Sequence, residues 1–158
     1  MRKPFKIAGL ALIGFIVVIQ FIQPERNIYE GSLEHDMLST LSVPDLVADL
    51  LKNSCYDCHS ANTRYPWYSK ISPVSWYLNR HIEQGNEALN FSEFAQLKKR
   101  KKIGALSSLC EVLESGSMPL PGFLIIHQNA VLDEEEITSI CDWSESEALI
   151  IIQSDATP

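Results

Sequence analysis

Asn53-Ser54-Cys55-Tyr56-Asp57-Cys58-His59 holds the residues best suited to chemistry. Cys-x-x-Cys-His is the spacing at which a c-type haem is attached. Each thiol can add across one vinyl group of the porphyrin. The histidine then supplies a neutral imidazole to the iron from directly beneath it. All three residues are needed at this spacing, because two thioethers must fix one face of the ring over one imidazole. Zinc sites and thioredoxin-like redox sites share Cys-x-x-Cys without the histidine, so His59 shifts the reading to a single covalent haem.

A second iron ligand is expected from Met118-Pro119-Leu120-Pro121. A thioether is a soft, neutral donor that raises the potential of haem iron. Methionine is flexible, and two prolines keep the backbone after it non-helical. Met118 lies 59 residues beyond His59, far enough to reach the other face of the ring. His81 and His127 are the alternative ligands. His35 reads as an exposed histidine. Aromatic rings can cover a flat apolar porphyrin, and Tyr65, Trp67, Tyr68 and Trp76 are the candidates. Tyr, Trp or Arg64 could also hold a haem propionate.

Helices must position these groups. Val43-Pro44-Asp45 reads as a helix start, with Leu46, Val47, Leu50 and Leu51 on one face leading into Cys55. Ser72-Pro73 predicts a second helix to about Asn90, with Ser72 as cap. Ser92 predicts the cap of a third, whose apolar face includes Phe94, Leu97, Leu106, Leu109 and Leu113. It contains the run Lys98 to Lys102, read as a solvated surface, and Gly104 marks a potential break. Phe123 to Ile126 reads as a short strand or extended loop. Asp133 with Glu136 predicts a capping box for a last helix bearing Ile137, Ile140, Cys141 and Trp143. The fold class is therefore all-α. Cys110 and Cys141 could form a disulfide or remain two buried thiols.

The chain has 158 residues, enough for one domain with a real core. It is 46% hydrophobic and 21% charged, with a net charge of −7. Setting aside Arg2, Lys3 and Lys6 leaves 10 basic against 20 acidic residues. That balance argues against nucleic acid as a partner, because phosphate binding needs clustered positive charge. It suits an acidic domain that meets a redox protein partner. Ile7 to Ile22 is almost wholly apolar. Sixteen helical residues span about 24 Å, short of the ~30 Å hydrocarbon core unless Phe5, Lys3 and Lys6 help. The division expected is a signal anchor or transmembrane helix at 1–23, a tether at 24–41 and a haem domain at 42–152. The three cations stay inside and the domain faces the periplasm from the inner membrane. The alternative is a soluble periplasmic protein released by signal cleavage.

The stretch from Asn53 through Tyr68, Pro73-Val74-Ser75-Trp76, Asn90-Phe91-Ser92, the Met118 segment and the Glu-rich last helix with Trp143 resembles the bacterial haem-binding domain family. The resemblance covers Val43 to Trp143. It implies a cytochrome c-like fold, covalent haem on Cys55 and Cys58, and His59 as proximal ligand. Gly122 departs from the family pattern and loosens the loop after Met118. The expected function is single-electron transfer by a membrane-anchored monohaem cytochrome, with no catalysis. A haem sensor or small peroxidase-like enzyme with an open iron site is the alternative, and a zinc or disulfide-stapled module is a third.

Overall fold

The computed structural model describes residues 3–154, with side chains from residue 4 onward. Arg2 and the Lys3 side chain, counted above among the inner-side cations, lie outside the described residues. The described residues contain helices and no strand, apart from one isolated bridge between Ile28 and Asn62. The all-α expectation holds.

The N-terminal helix α1 (Lys3–Ile19) has 17 residues, about 26 Å of helix. It ends before Ile22 because Gln20 and Gln23 turn back onto the loop at Ser72. No helix among the described residues is long and apolar enough to cross a membrane. This corrects the expectation of a transmembrane helix over 1–23. The apolar side chains of α1 are nevertheless exposed from residue 4 to residue 18.

Residues 24–41, expected as a tether, join the domain. The one-turn helix α2 (Met37–Thr40) is capped by Asp36, whose carboxylate accepts from the Leu38 N–H. Met37 is fully buried in the core. Asn27 donates through its amide to the Ser60 carbonyl at 2.7 Å and the Thr63 hydroxyl at 3.0 Å.

The core is built from α3 (Asp45–Ser54), α6 (Lys99–Glu114) and α8 (Glu134–Gln153). Val47, Leu50 and Leu51 meet Leu106, Leu109 and Leu113, with Ile140, Trp143 and Ala148 closing the cluster. Each large apolar side chain buried this way contributes roughly 1.5–3 kcal/mol. Asp133 and Glu136 form the expected capping box, with bonds of 2.8 and 2.9 Å. Cys110 and Cys141 are joined as a disulfide between α6 and α8, across a Cα–Cα distance of 4.9 Å.

Four local expectations change. Ser72 does not cap α5 (Val74–Ala88); its carbonyl, N–H and hydroxyl are engaged by Gln20 and Gln23 instead. Ser92 does not cap a long helix either. Asn90 caps a 3₁₀ turn, Phe91–Gln96, and α6 begins inside the lysine run. Gly104 does not break α6, and nothing lies near where its side chain would be. The segment after Pro121 is a helical turn, α7 (Pro121–Leu124), because proline suits the first turn. Gly122 sits inside that turn. The peptides Ser72–Pro73 and Met118–Pro119 are cis.

Candidate cofactor site

Helix α3 delivers the motif and then breaks. The Cys55 N–H still donates to the Leu51 carbonyl at 2.9 Å, and the one-turn helix α4 (Tyr56–His59) follows in a new direction. Its position is fixed by polar contacts. Asp57, almost fully buried, accepts from Arg64 Nε at 2.9 Å and from the Arg64 N–H at 3.2 Å. Arg64 also donates to the Lys52 carbonyl at 2.6 Å. The guanidinium expected to meet a propionate is thus committed to holding α4 against the end of α3. On the other side, the Tyr56 hydroxyl donates to Asp36 at 2.8 Å. Burial first, then the Asp36 charge, pushes the Tyr56 phenol well above its ordinary range.

Helix α5 crosses α4 at Gly85. A Cβ there would overlap the Cys58 carbonyl, so only glycine permits this approach. Asn86 follows and donates to the Cys58 carbonyl at 3.2 Å and the Ile82 carbonyl at 3.1 Å. Its Oδ1 is buried with no donor among the described residues.

His59 is oriented by its Nδ1, which lies 3.0 Å from the Leu89 carbonyl. A carbonyl only accepts, so Nδ1 carries the proton and Nε2 keeps its lone pair. Metal-ligating histidines are held by this kind of bond from the other nitrogen. The buried Phe91 ring lies 5.7 Å from the imidazole. Burial raises both thiols, Cys55 to about 12 with help from Cys58, and Cys58 to about 11 with help from Asp57. A thioredoxin-like pair needs the opposite shift, toward thiolate.

A cavity of about 620 Å³ adjoins a smaller one of about 210 Å³. Both are lined by Cys55, His59, Met118 and Pro119. The larger runs between α6 and the Leu89–Phe91 segment and has Leu109, Val112 and Leu113 in its wall. The smaller lies against α5 and α7 and includes His81, Gly85 and Phe123. The size and largely apolar walls suit an organic cofactor. Met118 is placed there by the end of α6. Gly116 adopts the left-handed conformation, with φ of 65°, and the Ser117 and Met118 N–H groups both donate to the Val112 carbonyl at 3.1 Å.

The structure therefore brings Cys55, Cys58, His59, Met118 and His81 together. It does not bring the other predicted aromatics to this cavity. The Tyr65 hydroxyl accepts from the Asn27 N–H at 2.7 Å. Trp67 is 78% exposed. The Tyr68 hydroxyl is 2.6 Å from His127 Nε2, and neither lines either lobe. Trp76 donates to the Ile22 carbonyl at 2.6 Å. These rings are occupied by the N-terminal segment or by each other. His35 is exposed beside Glu34. The aromatic cover comes instead from Phe91 and Phe123. Gly85 gave a signal in the sequence, since an isolated glycine in a helical pattern commonly marks a close approach. The Leu89 carbonyl gave none.

A helical protein with an imidazole held for ligation beside two cysteines, in an apolar cavity of cofactor size, belongs to the haem-binding class. The chain matches the haem-binding domain family over residues 14–146, and it is a member of that family. No curated protein and no solved structure matches it. The donor set fits the group: a neutral nitrogen, a thioether and two thiols, walled by apolar side chains.

Proposed function

We propose that the protein is a membrane-anchored monohaem c-type cytochrome that passes single electrons on the periplasmic side of the inner membrane. The observation that carries this reading is that Met118 lines the same cavity as Cys55 and the oriented His59. Haem supplies a one-electron centre when bound. Cys55 and Cys58 hold it covalently through their sulfurs. His59 offers Nε2 as the proximal donor, and the Nδ1–H bond to the Leu89 carbonyl sets the orientation of the ring. Met118 offers its thioether as the distal donor. With both donors engaged no position remains for a substrate, which favours electron transfer over catalysis. Beyond Lys6, helix α1 is apolar all round, which suits a lipid surrounding. The disulfide fits an oxidising compartment.

The test is Met118→Ala in the haem-loaded protein. The expected result is loss of the thioether-to-iron charge-transfer band of the oxidised form and a fall in midpoint potential. An unchanged spectrum and potential would remove Met118 as ligand. His81 then becomes the candidate, because it lines the smaller lobe and its Nδ1 lies 2.8 Å from the Tyr77 carbonyl, which leaves Nε2 available. Covalent attachment is tested by denaturing Cys55→Ala and Cys58→Ala variants, each of which should retain less haem than the wild type.

A further inference from the structure

Helix α1 leaves the domain through a fixed joint. Gln20 donates to the Ser72 carbonyl at 3.1 Å and accepts from its N–H at 3.0 Å. Gln23 reaches the Ser72 hydroxyl at 2.9 Å, and Trp76 donates to the Ile22 carbonyl. Ile19 is buried beneath them. A loose tether would have none of these bonds.

The surface around that joint is unusual for an acidic protein. Phe21, Trp67, Tyr77 and Ile125 are 85%, 78%, 65% and 76% exposed, and Ile126 and Trp76 add to them. The Tyr68–His127 contact ties the Trp67 loop to the Ile125–Ile126 segment, and Gly122 of that segment lies against the Tyr77 hydroxyl. The three stretches that meet here are 19–24, 65–82 and 115–132. They contain two Lys or Arg and no Asp or Glu, although the chain holds 20 acidic residues. Tyr and Trp favour the boundary between lipid and water, and cations favour anionic headgroups. The patch adjoins a helix whose side chains are apolar and exposed from residue 7 to residue 18.

We infer that this exposed aromatic face rests on the lipid surface that α1 enters, so that the haem domain is held at one fixed tilt to the membrane. The inference rests on the membrane-anchored haem reading above. It adds that the domain itself contacts lipid and does not swing. Electron transfer then occurs only with partners that reach the haem from the directions this pose leaves open.

The experiment uses full-length haem-loaded protein in bilayers of phosphatidylethanolamine and phosphatidylglycerol. Flotation reports binding, and linear dichroism of the Soret band in aligned bilayers reports haem tilt. The wild type should float and give a clear dichroism. The triple variant Trp67→Ser, Ile125→Ser, Ile126→Ser changes only side chains outside the cofactor cavity. It should still float through α1 but lose its dichroism. Gln20→Ala with Gln23→Ala should do the same by freeing the joint. A floating wild type without dichroism, or a triple variant with dichroism unchanged, overturns the inference. A wild type that does not float, or that carries no haem, overturns it too by removing the reading beneath it, and flotation and absorbance tell those two cases apart.

Discussion

Between α6 and α8 the contacts are mainly apolar, and one is covalent. Leu106, Leu109 and Leu113 face Ile140, Trp143 and Ala148, and a disulfide joins Cys110 to Cys141. Around Cys55–His59 the holding contacts are polar. Arg64 grips Asp57, Tyr56 binds Asp36, Asn86 binds Cys58, and Leu89 binds His59. The first region is a scaffold held by its own packing and its disulfide, with Leu109 and Leu113 also in the cavity wall. The second aims particular atoms and leaves a cavity beside them. Apolar packing is roughly proportional to area and non-directional, whereas a hydrogen bond fixes an angle. A site that must present one nitrogen to one metal is therefore built from the second kind of contact and supported by the first.

The largest expected effect breaks the scaffold side. The disulfide closes a loop of 31 residues, for which loop-closure entropy gives about 3–4 kcal/mol. Replacing Cys110 and Cys141 together with alanine should lower urea stability by roughly that amount. The visible spectrum of folded, haem-loaded protein should not change. A spectral change at constant fold would mean the two regions are coupled more tightly than their contacts imply.

Gly85→Ala should do the reverse. Its Cβ would overlap the Cys58 carbonyl, so α5 must move away from α4. The expected stability loss is about 1–3 kcal/mol, the range for forced overpacking. Haem spectra should change, because α5 leads directly to the Leu89 carbonyl that orients His59. A Gly85→Ala protein with wild-type spectrum and stability would show that this approach is not needed. Gly116→Ala should be milder, about 1–2 kcal/mol for a non-glycine residue at positive φ. A shift of the spectrum toward that of Met118→Ala would show that the Gly116 turn delivers the thioether.

The same contrast explains what could be read from the chain. The scaffold was legible: helical periodicity marked Leu106, Leu109 and Leu113, and Asp133 with Glu136 announced the cap of α8. The residues that type and spacing single out, Cys55, Cys58, His59 and Met118, are gathered at one cavity. What escaped was who holds them. Tyr65 and Trp76 have the right chemistry to cover a porphyrin, but residues 20–27 reach across from the N-terminus and bind both. Ser72 looked like a cap because a serine before a proline fits that role locally, and only the return of Gln20 and Gln23 assigns it elsewhere. Contacts separated by about fifty residues leave no periodic trace. A backbone carbonyl such as that of Leu89 leaves none at all, because every residue has one.

The smallest predicted effect concerns the one carboxylate that intrudes on the scaffold. Glu147 lies on α8 beside Trp143 and Ala148, with only 6% of its surface exposed, and it makes no ion pair among the described residues. Burial raises its pKa above the ordinary carboxylate value. A raised pKa means that the folded state prefers the protonated form. Its contribution to stability is then fully present below the unfolded value, about pH 4, and is lost as pH rises through the folded one. Glu147→Gln mimics the protonated form at every pH. The variant should therefore match the wild type near pH 4 and be the more stable of the two at neutral pH, when both are unfolded in urea. A difference that does not vary with pH would show that the carboxylate reaches water from its place on α8, and that the scaffold tolerates it without cost.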